Sequence, residues 1–199
     1  APVSQNFDFN SGVWKRAKWH ELNGIQLGAI QEKSRFKALY DAEAVYFGIE
    51  TELPENIRFT PCGQDGPCWG QDCLELILDP FGSREKYYHF IFNPVPGSRY
   101  DAAAGFITDV LHPAYDKPDT GWNGRWEYFT QRSGGRWSAL VRIPFASLDV
   151  KTPASGTHWT LNIGRESFRT RQPELSSWSP NLETMSFHDR DSFGEAVFE

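Results

Sequence analysis

Pro67-Cys68-Trp69-Gly70-Gln71-Asp72-Cys73-Leu74-Glu75-Leu76-Ile77-Leu78-Asp79 sets a tryptophan in a turn-rich loop directly before a strand that carries a glutamate among apolar residues. Side chains alternate along a strand. Leu74, Leu76 and Leu78 therefore share one face, and Cys73, Glu75, Ile77 and Asp79 share the other. The second face mixes apolar and carboxylate groups and reads as a half-open surface. An indole beside a carboxylate in a shallow groove suits a sugar ring, with stacking for its C–H face and an acceptor for its hydroxyls. The plainer alternative is that Trp69 covers a sheet edge and Glu75 faces solvent.

Outward from this stretch the chain reads as strand after strand. Phe36, Ala38 and Tyr40 alternate, Asp41-Ala42-Glu43 turns the chain, and Val45, Phe47 and Ile49 alternate again, which predicts a hairpin. Tyr88, Phe90 and Phe92 mark a further strand, ended by Pro94 and Pro96-Gly97. Trp126–Gln131 and Arg136–Ile143 flank Ser133-Gly134-Gly135, a second hairpin signal. Trp159, Leu161 and Ile163 mark a late strand, and Ala196-Val197-Phe198 the last. Pro144–Leu148 suits one short helical turn with proline at its start. The expectation is an all-β fold: a two-sheet antiparallel β-sandwich of roughly nine to eleven strands with long loops and at most that one turn. Residues 1–199 are expected to form a single domain. The loops 53–72, 94–125 and 166–192 are rich in Pro, Gly, Asp and aromatics, and loops of this kind commonly carry function.

With 15 Phe, 7 Tyr and 8 Trp but one Met, the composition favours strands with large flat side chains. The net charge of −6 and the lack of any Lys/Arg run make nucleic acid and anionic membrane poor partners. No apolar stretch approaches the roughly 18 residues that a membrane span requires. The start, Ala1-Pro2-Val3-Ser4, resembles that of a mature chain. Cys62 and Cys68 bracket a Gly- and Pro-containing loop and are the disulfide candidate, which fits an exported protein: extracellular, periplasmic or at the cell surface. Cys73 then remains a buried thiol. Reduced cysteines in a cytosolic protein are the alternative. No C-x-x-C pair and no His at ligand spacing marks a zinc site.

Catalytic signals are weak. Glu75 and Asp79 share a face but stand four apart, roughly 13 Å on an extended strand. A glycosidase carboxyl pair needs about 5–5.5 Å for retention or about 6.5–9.5 Å for inversion. Cross-strand pairs stay open, because sequence does not reveal strand neighbours. There is no G-x-S-x-G, H-E-x-x-H or nucleotide-binding glycine motif. No catalytic residue is assigned.

The segment Trp69-Gly70-Gln71-Asp72-Cys73-Leu74-Glu75-Leu76-Ile77-Leu78-Asp79 resembles the W-x-x-D-x-h-E-h-h-h-D signature of family 9 carbohydrate-binding modules, a DOMON-like sandwich. Further resemblances follow in order: Phe7-Asp8 and Trp14 in the opening segment, the Phe36–Ile49 hairpin, Trp137–Phe145, Trp159–Arg165 and Ser186–Gly194. They cover nearly the whole chain. The resemblance implies a non-catalytic, monomeric module that binds a polysaccharide or oligosaccharide and accompanies polysaccharide degradation. Two aromatic rings would clamp a terminal sugar. Carried over position by position, Trp69 is one ring and Phe187 the other; Glu75 accepts hydroxyl hydrogen bonds, and Asn93 lies near the same face. Trp178 either lines the groove or plugs the end of the sandwich. No cofactor is required, and the resemblance allows a structural calcium with no legible ligand set.

The sequence also departs from the pattern. Phe187 is smaller than the tryptophan often found there, Ile91 replaces a basic residue, and Gly164 replaces an amide. Arg142 stands where the Trp137–Phe145 pattern carries an acid. The alternatives are an interaction or structural domain that has lost sugar binding, a glycoside hydrolase, and a haem-binding sandwich using Met185 with His188 nearby.

Overall fold

The computed structural model describes residues 6–26, 29–169 and 172–199; the N-terminal Ala1–Ser4 reading lies outside them. The described residues form two antiparallel sheets. The first has the order β1 (His20–Glu21), β3 (Ser34–Tyr40), β4 (Ala44–Glu52), β9 (Arg136–Pro144), β8 (Glu127–Ser133). The second has the order β2 (Asn23–Gly24), β11 (Glu174–Ser177), β10 (His158–Ser167), β5 (Cys73–Asp79), β6 (Tyr87–Phe92), β7 (Arg99–Ala104), with β12 (Gly194–Val197) on the first half of β10. The expected all-β sandwich is thus the fold.

Local chemistry explains the turns. Asp41 Oδ1 accepts from the Glu43 and Ala44 amides and closes the β3–β4 turn. Gly134 and Gly135 carry the positive φ values of 57° and 72° that the tight β8–β9 turn requires. The expected helical turn is a 3₁₀ turn at Phe145–Leu148, and three more 3₁₀ turns appear at Gly12–Arg16, Cys68–Gly70 and Arg190–Ser192.

The core lies between the sheets. Leu74, Leu76 and Leu78 of β5 and Tyr88, Phe90 and Phe92 of β6 pack against Phe47, Ile49, Trp137, Val141 and Ile143. Trp126 and Trp159 belong to the same core, and Trp122 packs on Tyr88 and Phe90. Trp14 is buried in a separate cluster on the outside of the first sheet, where Trp19 packs half-buried. Two strands fell inside expected loops. β7 reads Arg-Tyr-Asp-Ala-Ala-Ala and β11 reads Glu-Leu-Ser-Ser. Neither has a bulky alternation, and pairing with β6 and β10 decides them.

Candidate functional site

The outer face of the seven-stranded sheet is covered rather than open. β5 is central, and all seven of its residues are buried. Glu75, expected on a half-open surface, is only 3% exposed. The closing segment, which includes Phe187 and Phe193, lies over this face. Asn162 fastens it: its Nδ2 donates to the Phe187 carbonyl at 3.1 Å, and its Oδ1 accepts from the Ser177 hydroxyl and the Ser179 amide. Arg190 adds an ion pair to Asp116 at 2.9 Å, joining the closing segment to the loop after β7.

A cavity of about 380 Å³ opens between these loops and the sheet. Trp69, Tyr100, Met185 and Phe187 form much of its wall, and Glu75, His89, Glu166 and His188 supply its ionisable lining. Among the described residues neither Lys nor Arg lines it.

Trp69 sits on the Cys68–Gly70 turn. Cys62 and Cys68 form a disulfide. The loop they close is tight: a Cβ on Gly66 would stand 1.7 Å from the Cys62 carbonyl oxygen, so only glycine fits. This clasp holds the indole edge-on to Tyr100, with ring centroids 5.2 Å apart, while leaving it 44% exposed.

Phe187 also lines the cavity, but it is only 6% exposed. The glycine at position 164 explains this. A Cβ there would come within 2.8 Å of the Phe187 ring, so the ring occupies the space that a side chain on β10 would take. The absent amide and the sunken ring are one structural event. Met185, 52% exposed, projects from the same segment.

Two other candidates stand away from the cavity: Asn93, which corrects its expected placement, and Trp178, which takes the second of its two expected places. Asn93 is fully buried; its Oδ1 accepts from the Val95 amide, and its Nδ2 faces the Thr60 carbonyl and the Cys62 sulfur. It braces the disulfide loop and is not among the lining residues. Trp178 packs on Phe36 and His20 and covers Gly194, so it plugs the sandwich end. Asp72 and Arg165, both in the quoted motifs, pair at 2.7 Å and brace the structure with Glu32 and Arg169.

The residues missed in the sequence are His89 and Glu166. Cross-strand register places them. Glu75 stands opposite Ile91 on one side and Gly164 on the other, so His89 and Glu166 are its diagonal neighbours. The Tyr88-Phe90-Phe92 alternation already turns His89 to the outer face, but strand neighbours cannot be read from it. His89 Nε2 donates to Glu75 Oε2 at 2.7 Å. Tyr87 Oη meets His188 Nδ1 at 3.1 Å, and the His89 and His188 rings cross at 4.6 Å.

Burial works to raise the Glu75 carboxyl, but the hydrogen bond and charge of His89 outweigh it and hold the group below the ordinary range. Glu166 is pushed up to about 8, first by burial and then by the Glu75 charge. A carboxyl oxygen of Glu166 lies within 4.8 Å of one of Glu75. His188 is lowered to about 4, mainly by burial and then by His89. Near neutral pH the floor therefore holds one carboxylate, one carboxylic acid and a neutral His188. Burial, followed by the Glu75 charge, drives the Cys73 thiol well above its ordinary value.

Structural calcium takes about 6–8 oxygen ligands. Among the described residues, the clusters of acidic, His or Cys ligand atoms are Glu75–His89–His188 and Cys73–Glu75–Glu166. Each includes nitrogen or sulfur, and neither fits calcium. Among the described residues no helix is long and apolar enough to cross a membrane.

Comparison with curated proteins gives no match. Among solved structures, a Bacteroides uniformis protein with an inferred carbohydrate-binding role has a TM-score of 0.72 at 18% identity, over 93% of this chain and 88% of that one. A family 9 carbohydrate-binding module from Caldicellulosiruptor kristjanssonii in complex with cellotriose has a TM-score of 0.64 at 18% identity, over 99% and 89%. Its glucose complex has a TM-score of 0.62 at 17% identity, over 99% and 92%. These likenesses carry the fold, and the model for carbohydrate family 9 binding domain-like proteins matches residues 9–199, so the chain belongs to that family.

Proposed function

We propose that this domain binds a carbohydrate without transforming it, with one sugar ring held in the cavity beside Trp69. The observation that carries the reading is the projecting indole above a buried, hydrogen-bonding floor that, among the described residues, has no Lys or Arg. The volume of about 380 Å³ lies within the roughly 300–1,000 Å³ of small-ligand pockets. The family and the cellotriose and glucose complexes of its structural neighbours favour a neutral sugar. Stacking that hides about 100–150 Å² contributes roughly 2.5–4 kcal/mol before the ordering cost of association. With Phe187 sunk and Ile91 and Gly164 unable to offer polar side chains, affinity is set mainly by Trp69 and the Glu75 cluster, and weak micromolar to millimolar binding is expected.

Glu75 and Glu166 bring carboxyl oxygens within 4.8 Å of one another, closer than the about 5–5.5 Å of a retaining glycosidase pair, which supports a binding role. The haem alternative finds little support, since Met185 stands half-exposed at the cavity and the space between the sheets is filled by aromatics. The Cys62–Cys68 disulfide supports an exported setting.

Calorimetry and tryptophan fluorescence with glucose, cellobiose and cellotriose test the reading in wild type and Trp69→Ala. Saturable binding by at least one sugar, lost in the variant, is expected. Indifference to all of them and to a wider glycan panel would leave the interaction-domain reading instead.

A further inference from the structure

We propose that Glu75, His89 and His188 form a binding site for a divalent cation of the zinc class at the cavity floor. The three come from distant parts of the chain: β5, β6 and the closing segment. Their ligand atoms all lie within 4.8 Å of one another. Two imidazoles and one carboxylate are a borderline-soft donor set that suits Zn²⁺, Co²⁺ or Ni²⁺ rather than calcium or magnesium.

The geometry needs little adjustment. Tetrahedral zinc at about 2.0–2.1 Å from each donor separates neighbouring donor atoms by about 3.4 Å. His89 Nε2 and Glu75 Oε2 are 2.7 Å apart, bridged by one proton that the cation would displace. Small side-chain torsions supply the difference. Tyr87 meets Nδ1 of His188, which leaves Nε2 as the ligating nitrogen. A ligating histidine held through its other nitrogen by an outer partner is the usual arrangement around zinc. Three protein ligands leave a position open, and all three residues line the cavity, so water or a ligand hydroxyl would complete the sphere. The cluster of Cys73, Glu75 and Glu166 is the poorer choice, because Cys73 is fully buried in β5.

This site goes beyond sugar binding and stands or falls separately from it. The test titrates chelator-treated protein with ZnCl₂ by calorimetry and with CoCl₂ by visible absorption, both without sugar. One equivalent of zinc is expected to bind, with a cobalt ligand-field spectrum of nitrogen–oxygen coordination, while millimolar calcium leaves both unchanged. His188→Ala should lose binding, and Tyr87→Phe should weaken it about 10–100-fold. His112→Ala, at an exposed histidine outside the cavity, should leave it intact. Melting curves check that each variant folds, and the wild-type cobalt spectrum judges the ligand set even if one does not. No zinc binding, or binding unchanged in folded His188→Ala, overturns the site. Sugar titrations in chelator decide the carbohydrate reading independently.

Discussion

The two faces of β5 are both buried, but by different means. The inner face meets the opposite sheet through leucines and aromatic rings and carries no ionisable group on this strand. The outer face is roofed by loops and keeps a carboxylate, a second carboxyl and two imidazoles beside a cavity. An apolar face gains stability from every contact. A polar face gives some of that up, because each desolvated group must find a partner. Equal burial therefore conceals a difference, cohesion on one side and, on the other, the polar cavity at which we propose recognition.

Leu76→Ala strikes the inner face and should cost about 2–5 kcal/mol in denaturant unfolding, since it opens a hole in a fully buried layer. A cost below about 1 kcal/mol would mean that the inner face is not the rigid one.

Gly164→Ala tests the roof. Its methyl would press on the Phe187 ring, and overpacking of this kind costs about 1–3 kcal/mol. The same change should lift the ring and alter sugar affinity, whereas Leu76→Ala should alter only stability. Parallel calorimetry of the two variants would separate the faces.

Trp69→Ala should weaken sugar binding at least tenfold, about 1.4 kcal/mol, while stability moves by about 0.5 kcal/mol or less. The indole is nearly half exposed and is held by the disulfide turn rather than by the core. A large drop in melting temperature would instead make Trp69 a structural cover.

The last effect appears only as a dependence on pH and concerns Glu166. Its folded-state value of about 8 exceeds its ordinary 4.5, so the folded protein holds the extra proton and loses stability as pH rises through that window. His188, lowered to about 4 from 6.5, acts oppositely: its contribution is lost as pH falls through that range. The lowered His20 and His188 act mainly below about pH 6.5 and the raised Cys73 mainly above about pH 8, so the Glu166 slope is read best between those limits. Glu166→Gln stays neutral, keeps a donor towards Glu75, and should flatten the slope. Thermal melts that show the same pH dependence in both proteins would mean that Glu166 is not held protonated.

The sequence by itself determined the sandwich, because period-two alternation of Leu, Phe and Trp in 36–49, 73–79, 88–92 and 136–143 admits few other solutions. It also singled out Trp69 and Glu75, since an indole in a turn before a strand glutamate is a local pattern. Asn93 looked available and Trp178 was open between the groove and the sandwich end; their packing against the disulfide loop and that end depends on contacts that no local pattern records. Only the tertiary structure decided that Glu75 is buried, that His89 and Glu166 flank it, and that Phe187 sinks onto Gly164. Strand order and register set these neighbours, and both are settled by pairing between segments far apart in the chain rather than by alternation within any one of them.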